Sequence, residues 1–228
     1  MKTNLRATLL VWLLALLPAV VRGEDFFDVR TFNYQRQEGG VTLQAEIDFP
    51  TAGTAGSVRE VRRWICELLG VDEGVDVTEV NFGKILQQAC DGMFGDMESG
   101  RHSLQVKWTF EDPEIVTFES AVIDDDGERW TSEDVVSVSK KDGHRIQAGE
   151  IFKCGEEQIK QLMWDSRGKL QMEVGKASDL YVGDAGFIDG WIVVIGPAAR
   201  HTGAAYRIRY ATAVPYLRGG NRGGDYYE

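Results

Sequence analysis

Between Val41 and Phe49 apolar and polar residues alternate: Val41, Leu43, Ala45, Ile47 and Phe49 fall on one side, and Thr42, Gln44, Glu46 and Asp48 on the other. A period of two belongs to a strand with one buried and one wet face, as in a half-covered antiparallel sheet. Phe32 to Tyr34 is expected to pair with this strand across the Glu38-Gly39-Gly40 turn, and Pro50 to end it. The period then changes. Val58, Val61, Ile65 and Leu68 recur at helical spacing and stop at Gly70. Ser57-Val58-Arg59-Glu60 ahead of them has capping-box spacing, in which hydroxyl and carboxylate satisfy free amides at a helix start. A second helix is expected after Asn81 as cap, with Phe82, Ile85, Leu86, Ala89, Cys90, Met93, Phe94 and Met97 on one stripe. Gly83, Gly92 and Gly95 weaken that helix locally and mark places where a neighbouring element comes close.

Alternation returns with Leu104, Val106, Trp108 and Phe110, and Ile115 to Ile123 follows the Glu111-Asp112-Pro113-Glu114 turn, predicting a hairpin. Val135 to Ser139 reads as a further strand ending at Lys141-Asp142-Gly143, and Glu150 to Phe152 as a short helical turn. Glu156 to Ser166 carries Ile159, Leu162 and Met163 at helical spacing, and Phe187 to Ile195 and Tyr206 to Tyr210 read as the last two strands. Helices and strands come in clusters and do not alternate, so the expected class is α+β, an antiparallel sheet with packed helices.

The N-terminus has a different pattern. Lys2 and Arg6 precede an uncharged run from Ala7 to Val21, Pro18 loosens its end, and Val21-Arg22-Gly23 offers a cleavage point before Glu24. This is the secretory pattern. Its fifteen residues fall short of the roughly 18 that a membrane span needs. The expected organisation is therefore a signal peptide over 1–23, one domain (or two small lobes sharing a core) over 24–217, and a flexible Gly-rich tail over 218–228.

Removing Met1 to Gly23 takes away Lys2, Arg6 and Arg22 but no acid. Of the 25 basic residues 22 remain, facing 36 acidic ones, a net charge of −14. Such a field repels phosphate backbones and anionic headgroups, which disfavours nucleic acid and bare membrane as partners and suits a cationic one. The remaining length of about 205 residues and five of the six Trp are ample for a packed interior. Three Cys follow the leader. Cys66 and Cys90, both on expected helices, could close a disulfide in an oxidising compartment; the alternative is that Cys66, Cys90 and Cys154 are all buried thiols.

The search for reaction chemistry excludes more than it finds. No G-x-S-x-G, H-E-x-x-H or C-x-x-C is present, and His102, His144 and His201 lie apart in polar, turn-like contexts. No metal or cofactor site is expected: the Gly183-Asp184-Ala185-Gly186 and Gly219-Gly220-Asn221 runs do not open a strand-to-helix phosphate loop. Asp124-Asp125-Asp126-Gly127-Glu128 is contiguous and lacks the alternating spacing of a calcium loop, so it reads as a charged hairpin turn. With Trp130 beside it as an exposed aromatic, it is the candidate binding patch: Asp124, Asp125, Asp126, Glu128 and Trp130.

The C-terminal half carries a family resemblance. Thr109-Phe110-Glu111-Asp112 with Ile115-Val116-Thr117-Phe118 leads to Lys141-Asp142-Gly143-His144-Arg145-Ile146 and Gly149-Glu150-Ile151-Phe152. The chain then runs through Phe187-Ile188-Asp189-Gly190-Trp191-Ile192-Val193-Val194, Thr202-Gly203, Tyr206-Arg207-Ile208-Arg209-Tyr210 and Pro215-Tyr216-Leu217. That order resembles the extracytoplasmic domain of unknown function three-two-nine-eight, from Val41 to Leu217. The family occurs in the lysozyme-sensing part of an anti-sigma factor and beside the catalytic domain of some peptidoglycan deacetylases. Its Tyr-x-Gly-Gly-Ala-His-type loop is replaced here by Val122 to Trp130, with neither the paired Gly nor the His. The resemblance implies an α+β envelope domain and does not imply catalysis. Three functions follow as expectations: a periplasmic or secreted binding domain for a cationic protein such as lysozyme or for a cell-wall component, an enzyme or enzyme accessory acting on envelope polysaccharide, and a structural envelope protein.

Overall fold

The computed structural model describes residues 26–72, 74–95, 97, 99–125, 129–168, 175–196 and 204–219. The chain opens with β1 (Asp28–Glu38) and β2 (Val41–Ala52), an antiparallel hairpin turning at Gly39 and Gly40, both with positive φ. Pro50 does not end β2; it pairs with Val29 next to a register shift, where a missing amide donor is tolerated. Helices α1 (Ala55–Leu68) and α2 (Glu79–Gly95) follow. They carry the chain across to β3 (Gly100–Glu111), which lies parallel to β2, with Ala45 opposite Leu104. β4 (Ile115–Asp125) and β5 (Arg129–Ser139) complete an otherwise antiparallel sheet in the order β1-β2-β3-β4-β5. The fold is α+β, and the one parallel pair departs from a wholly antiparallel sheet.

Alternation and helix stripes meet in the first core. Val41, Leu43, Ala45, Ile47 and Phe49 of β2, with Leu104, Val106, Val116, Phe118, Val136 and Val138, face Val61, Trp64 and Ile65 of α1 and Phe82, Leu86, Cys90 and Phe94 of α2. The starts of both helices differ from the sequence expectation. α1 begins at Ala55 after Thr54, and the Ser57 hydroxyl bonds back to the Thr54 carbonyl at 3.0 Å, so the capping box with Glu60 is not formed. Asn81 lies inside the first turn of α2, and its side chain accepts the Thr78 amide at 2.8 Å. Of the three glycines in that helix only Gly83 faces a close neighbour, the ring of Phe32.

The second half builds a second core. Short α3 (Ala148–Ile151) and α4 (Glu156–Ser166) precede a three-stranded antiparallel sheet of β6 (Ala185–Ile188), β7 (Trp191–Gly196) and β8 (Ala204–Arg209), and the four-residue α5 (Tyr210–Ala213) follows. The stretch Phe187 to Ile195, expected as one strand, is a hairpin folded at Asp189-Gly190. Ile159, Leu162 and Met163 of α4 pack against Phe187, Ile192, Val194, Tyr206 and Ile208, together with Phe110 and Ile115 from the large sheet. A register shift between Trp108 and Phe110 sends Phe110 to this second core while Leu104 and Val106 stay in the first.

The small sheet covers the far side of β4 and β5 at close range. A Cβ at Gly186 would come within 2.5 Å of Thr117 and Val135 methyls. The Thr109 hydroxyl donates to the Phe187 carbonyl at 2.9 Å. Ion pairs also cross between the halves. Arg145 reaches Glu60 at 2.5 Å and Glu67 at 2.6 Å, both on α1. The buried Lys140 holds Glu111 at 2.5 Å, and the same Glu111 oxygen accepts the Phe27 amide. No helix among the described residues is long and apolar enough to cross a membrane, and residues 1–23 lie outside the described residues.

Candidate functional site

The large sheet is clothed unequally. Its apolar side lies under α1 and α2, while on the other side β6–β8 pack on β4, β5 and the Thr109–Phe110 end of β3. The polar positions of β1 and β2, and those of β3 as far as Gln105, therefore stay open. Register aligns them in rows: Asn33 with Glu46 and Gln105, and Gln35 with Gln44 and Ser103. Asn33, Gln35, Gln44 and Gln105 are exposed, and Glu46 and Ser103 are half-buried. Together they line a shallow depression of about 330 Å³. Across β4 the rows continue as Ala121 and Ile123, both half-buried.

The charges bordering this face are paired. Lys107 bonds Glu46, and Arg207 of β8 bridges Glu119 of β4 and Glu133 of β5. Burial raises the Glu119 carboxyl, and the Arg207 guanidinium opposes that rise. By contrast, the side chains of Asn33, Gln35, Gln44, Ser103 and Gln105 make no intramolecular hydrogen bond in the described structure. Behind the sheet, Tyr34 donates to Asp91 of α2 at 2.6 Å, and Arg36 reaches the same oxygen at 3.1 Å, fixing α2 on β1. Burial and the Asp91 carboxylate push the Tyr34 phenol up to about 12.

The acidic segment sits at one end of this sheet. Asp124 and Asp125 end β4, with Asp124 opposite His102 and Trp130, and Asp125 opposite Arg101 and Arg129. Asp126 and Glu128 lie outside the described residues, as does His201. Trp130 belongs to β5. β4 and β5 are paired antiparallel up to Asp125 and Arg129, on either side of residues 126–128, which lie outside the described residues.

Of the two described histidines, His144 keeps the polar, turn-like setting expected of it and His102 does not. His102 is a buried strand residue whose Nε2 sits 3.1 Å from the Ser99 carbonyl. His144, half-exposed, lies between two carboxylates: Nδ1 is 2.5 Å from Asp142 and Nε2 is 2.9 Å from Glu150. Asp142, then Glu150, raise the imidazole, and the His144 contact chiefly holds Asp142 down at about 2. An imidazolium donates from both nitrogens, so this arrangement is a clamp between the Lys141-Asp142-Gly143 turn and α3. It leaves no nitrogen free to take a substrate proton. Sequence spacing alone did not mark this cluster, because only the fold of the turn brings Glu150 back to the ring. Beside it, Ile115, Lys140, Lys141, Ile146 and Glu150 line a cavity of about 470 Å³.

The three thiols are free, so the Cys66–Cys90 bridge is not formed. Cys90 faces the first core with Phe82 and Leu86, and burial pushes its thiol up to about 11. Cys66 sits on the flank of α1, in a groove of about 650 Å³ lined by Val58, Arg62, Val71 and Val77. The two side chains serve different surroundings. In that groove Arg62 is held by the Pro50 carbonyl at 2.9 Å and lies over the Phe49 ring. Among the described residues no three His, Cys, Asp or Glu side chains are placed to hold a metal ion.

These features define a class: an α+β domain with two cores, an open amide-bearing sheet face and no convergent catalytic group among the described residues. No protein-family model and no curated protein matches the chain. Among solved structures, a member of the duf3298 family from Bacteroides fragilis superposes with a TM-score of 0.55 at 11% identity, over 86% of this chain and 94% of that one. A DUF3298 family protein from Pseudomonas aeruginosa PAO1 gives 0.47 at 8% identity, over 87% of this chain and 99% of that one. The Bacteroides structure shares the fold, which bears out the resemblance to this domain of unknown function at the level of fold.

Proposed function

We propose that the chain is an exported, non-catalytic binding domain of the cell envelope, with a cell-wall component held on the open side of the five-stranded sheet. The observation that carries this reading is the row of exposed carboxamides at Asn33, Gln35, Gln44 and Gln105, which no other described element covers. Such groups add nothing to the packed interior and are suited to direct hydrogen bonding with a polar ligand. The occupied ring of His144 favours binding over acid–base chemistry. The leader pattern of residues 1–23 supports export.

A second reading has its own observation. The charge of −14 after the leader and the acidic end of β4 suit a cationic protein such as lysozyme. One experiment separates the two: residues 24–228 are incubated with insoluble wall sacculi and, separately, with lysozyme, at low and moderate salt. Retention on sacculi that survives moderate salt supports the wall reading. Saturable, salt-sensitive lysozyme binding, weakened by charge reversal of Asp124, Asp125 and Asp126, supports the second. No retention on either refutes the binding-domain proposal.

A further inference from the structure

We infer that the open face of β1–β3 recognises an uncharged glycan of acetamido sugars, laid across the strands. This rests on the binding-domain reading and specifies its ligand. Asn33, Gln35, Gln44 and Gln105 are primary amides, each offering two donors and an acceptor without charge, and Ser103 adds a hydroxyl. Vicinal hydroxyls and acetamido groups present the same pairing of donor and acceptor. Among the described residues none hydrogen-bonds these five side chains, so a ligand need not break such a bond to reach them.

The neutrality of this patch is unusual for a chain with 36 acidic residues. Glu46, its one carboxylate, is paired with Lys107, and Glu119 and Glu133 beside it share Arg207. A cationic ligand gains little here, and a polyanion meets the field of the whole domain. A neutral polymer is left as the best match. Ala121 and Ile123, in register with Gln105 and Ser103, supply an apolar bank for the C–H face of a sugar ring. Neighbouring strands lie about 4.8 Å apart, a spacing close to the length of a pyranose ring, so a chain crossing the strands meets a fresh polar side chain at each ring. With no described aromatic side chain on this face, a single oligosaccharide binds weakly, and a polymer gains through repeated contacts.

The test is titration of residues 24–228 with a β-1,4-linked N-acetylglucosamine hexamer, and with the glucose hexamer that lacks the acetamido groups, followed by amide chemical shifts. The variants are Gln44→Ala with Gln105→Ala on the face and Lys84→Ala on the exposed side of α2 as control. The expected result is saturable, salt-insensitive binding of the acetamido hexamer, weakened about tenfold or more by the loss of two amides and unchanged in the control, with identical melting curves. Unchanged affinity in the double variant overturns the inference, as does equal binding of the glucose hexamer. Retention on sacculi without hexamer binding also overturns it while leaving the binding-domain reading intact. Absence of both refutes the two together.

Discussion

Replacing Gly143 with Ala tests whether the two halves of the molecule are joined by backbone contact. Gly143 has φ +79°, and a Cβ there would fall within 2.6 Å of the Gly56 Cα and carbonyl oxygen at the start of α1. Two costs add. An alanine held in the left-handed region loses about 1–2 kcal/mol. Driving a methyl into a neighbouring backbone, which cannot rotate away as a side chain can, costs about 1–3 kcal/mol more. The expected loss is about 2–5 kcal/mol. Gly39→Ala isolates the first cost, since Gly39 has φ +59° with nothing within 4 Å of its Cβ position, and it should lose only about 1–2 kcal/mol. Gly56→Ala isolates the second: its Cβ would meet the Asp142 carbonyl oxygen at 2.9 Å without a positive φ, for a loss of about 1–3 kcal/mol. Urea unfolding followed by Trp fluorescence reads all three as midpoint shifts at constant slope. Equal losses for Gly143→Ala and Gly39→Ala, with Gly56→Ala silent, would refute the close approach and with it the account of how α1 meets the Lys141-Asp142-Gly143 turn.

Three further outcomes are expected. The His144 clamp makes a pH-dependent contribution: the raised imidazole favours folding fully below its unfolded value of about 6.5 and loses that contribution as pH rises through the folded value, while depressed Asp142 contributes above about 3.9 and loses it as pH falls toward 2. The stability gap between the parent and His144→Gln should therefore be larger at mildly acidic than at alkaline pH, and a gap independent of pH would refute the clamp. Lys140→Ala strips the cation from half-buried Glu111 and should cost about 3 kcal/mol, whereas Lys140→Met with Glu111→Gln should cost less; equal melting curves for the single and double variants would contradict a largely desolvated pair. Alkylation in denaturant without reductant should label three thiols, and in native buffer should spare Cys90; a single labelled thiol in denaturant would mean that two had been joined in a disulfide.

Where local pattern and burial agree, the fold was legible in the chain. Alternation in β2 and in β3 gave their buried faces, and the apolar spacing of Glu156 to Ser166 gave α4 with its bounds. Phe187 to Ile195 was misread because apolar residues on both sides of Asp189-Gly190 hid a two-residue turn; the Asp-Gly pair was the signal that could have shown it. The capping box at Ser57 failed for a different reason: Thr54 begins the helix earlier, and Ser57, fully buried, turns its hydroxyl back to that residue. Parallel pairing of β2 with β3 leaves no mark on alternation, since a strand's period is the same in either direction. The wet positions of β1–β3 were visible as polar residues, but their remaining uncovered depends on where the distant small sheet docks.

That docking follows from the crossover. Because β2 and β3 run parallel, the chain must pass over the sheet between them, and α1 and α2 do so on one side. The opposite side is left to the C-terminal half, whose strands β6, β7 and β8 are only four, six and six residues long. They seal β4 and β5, where Gly186 allows backbone-close packing on Thr117, Val135 and Ser137. Beyond these they reach the Thr109–Phe110 end of β3 and leave Asn33, Gln35, Gln44 and Gln105 exposed. A face left to solvent alone is satisfied by charge, and this chain has acids to spare; rows of neutral amides bordered by paired charges are instead what a surface needs if it is to exchange water for a neutral polar ligand.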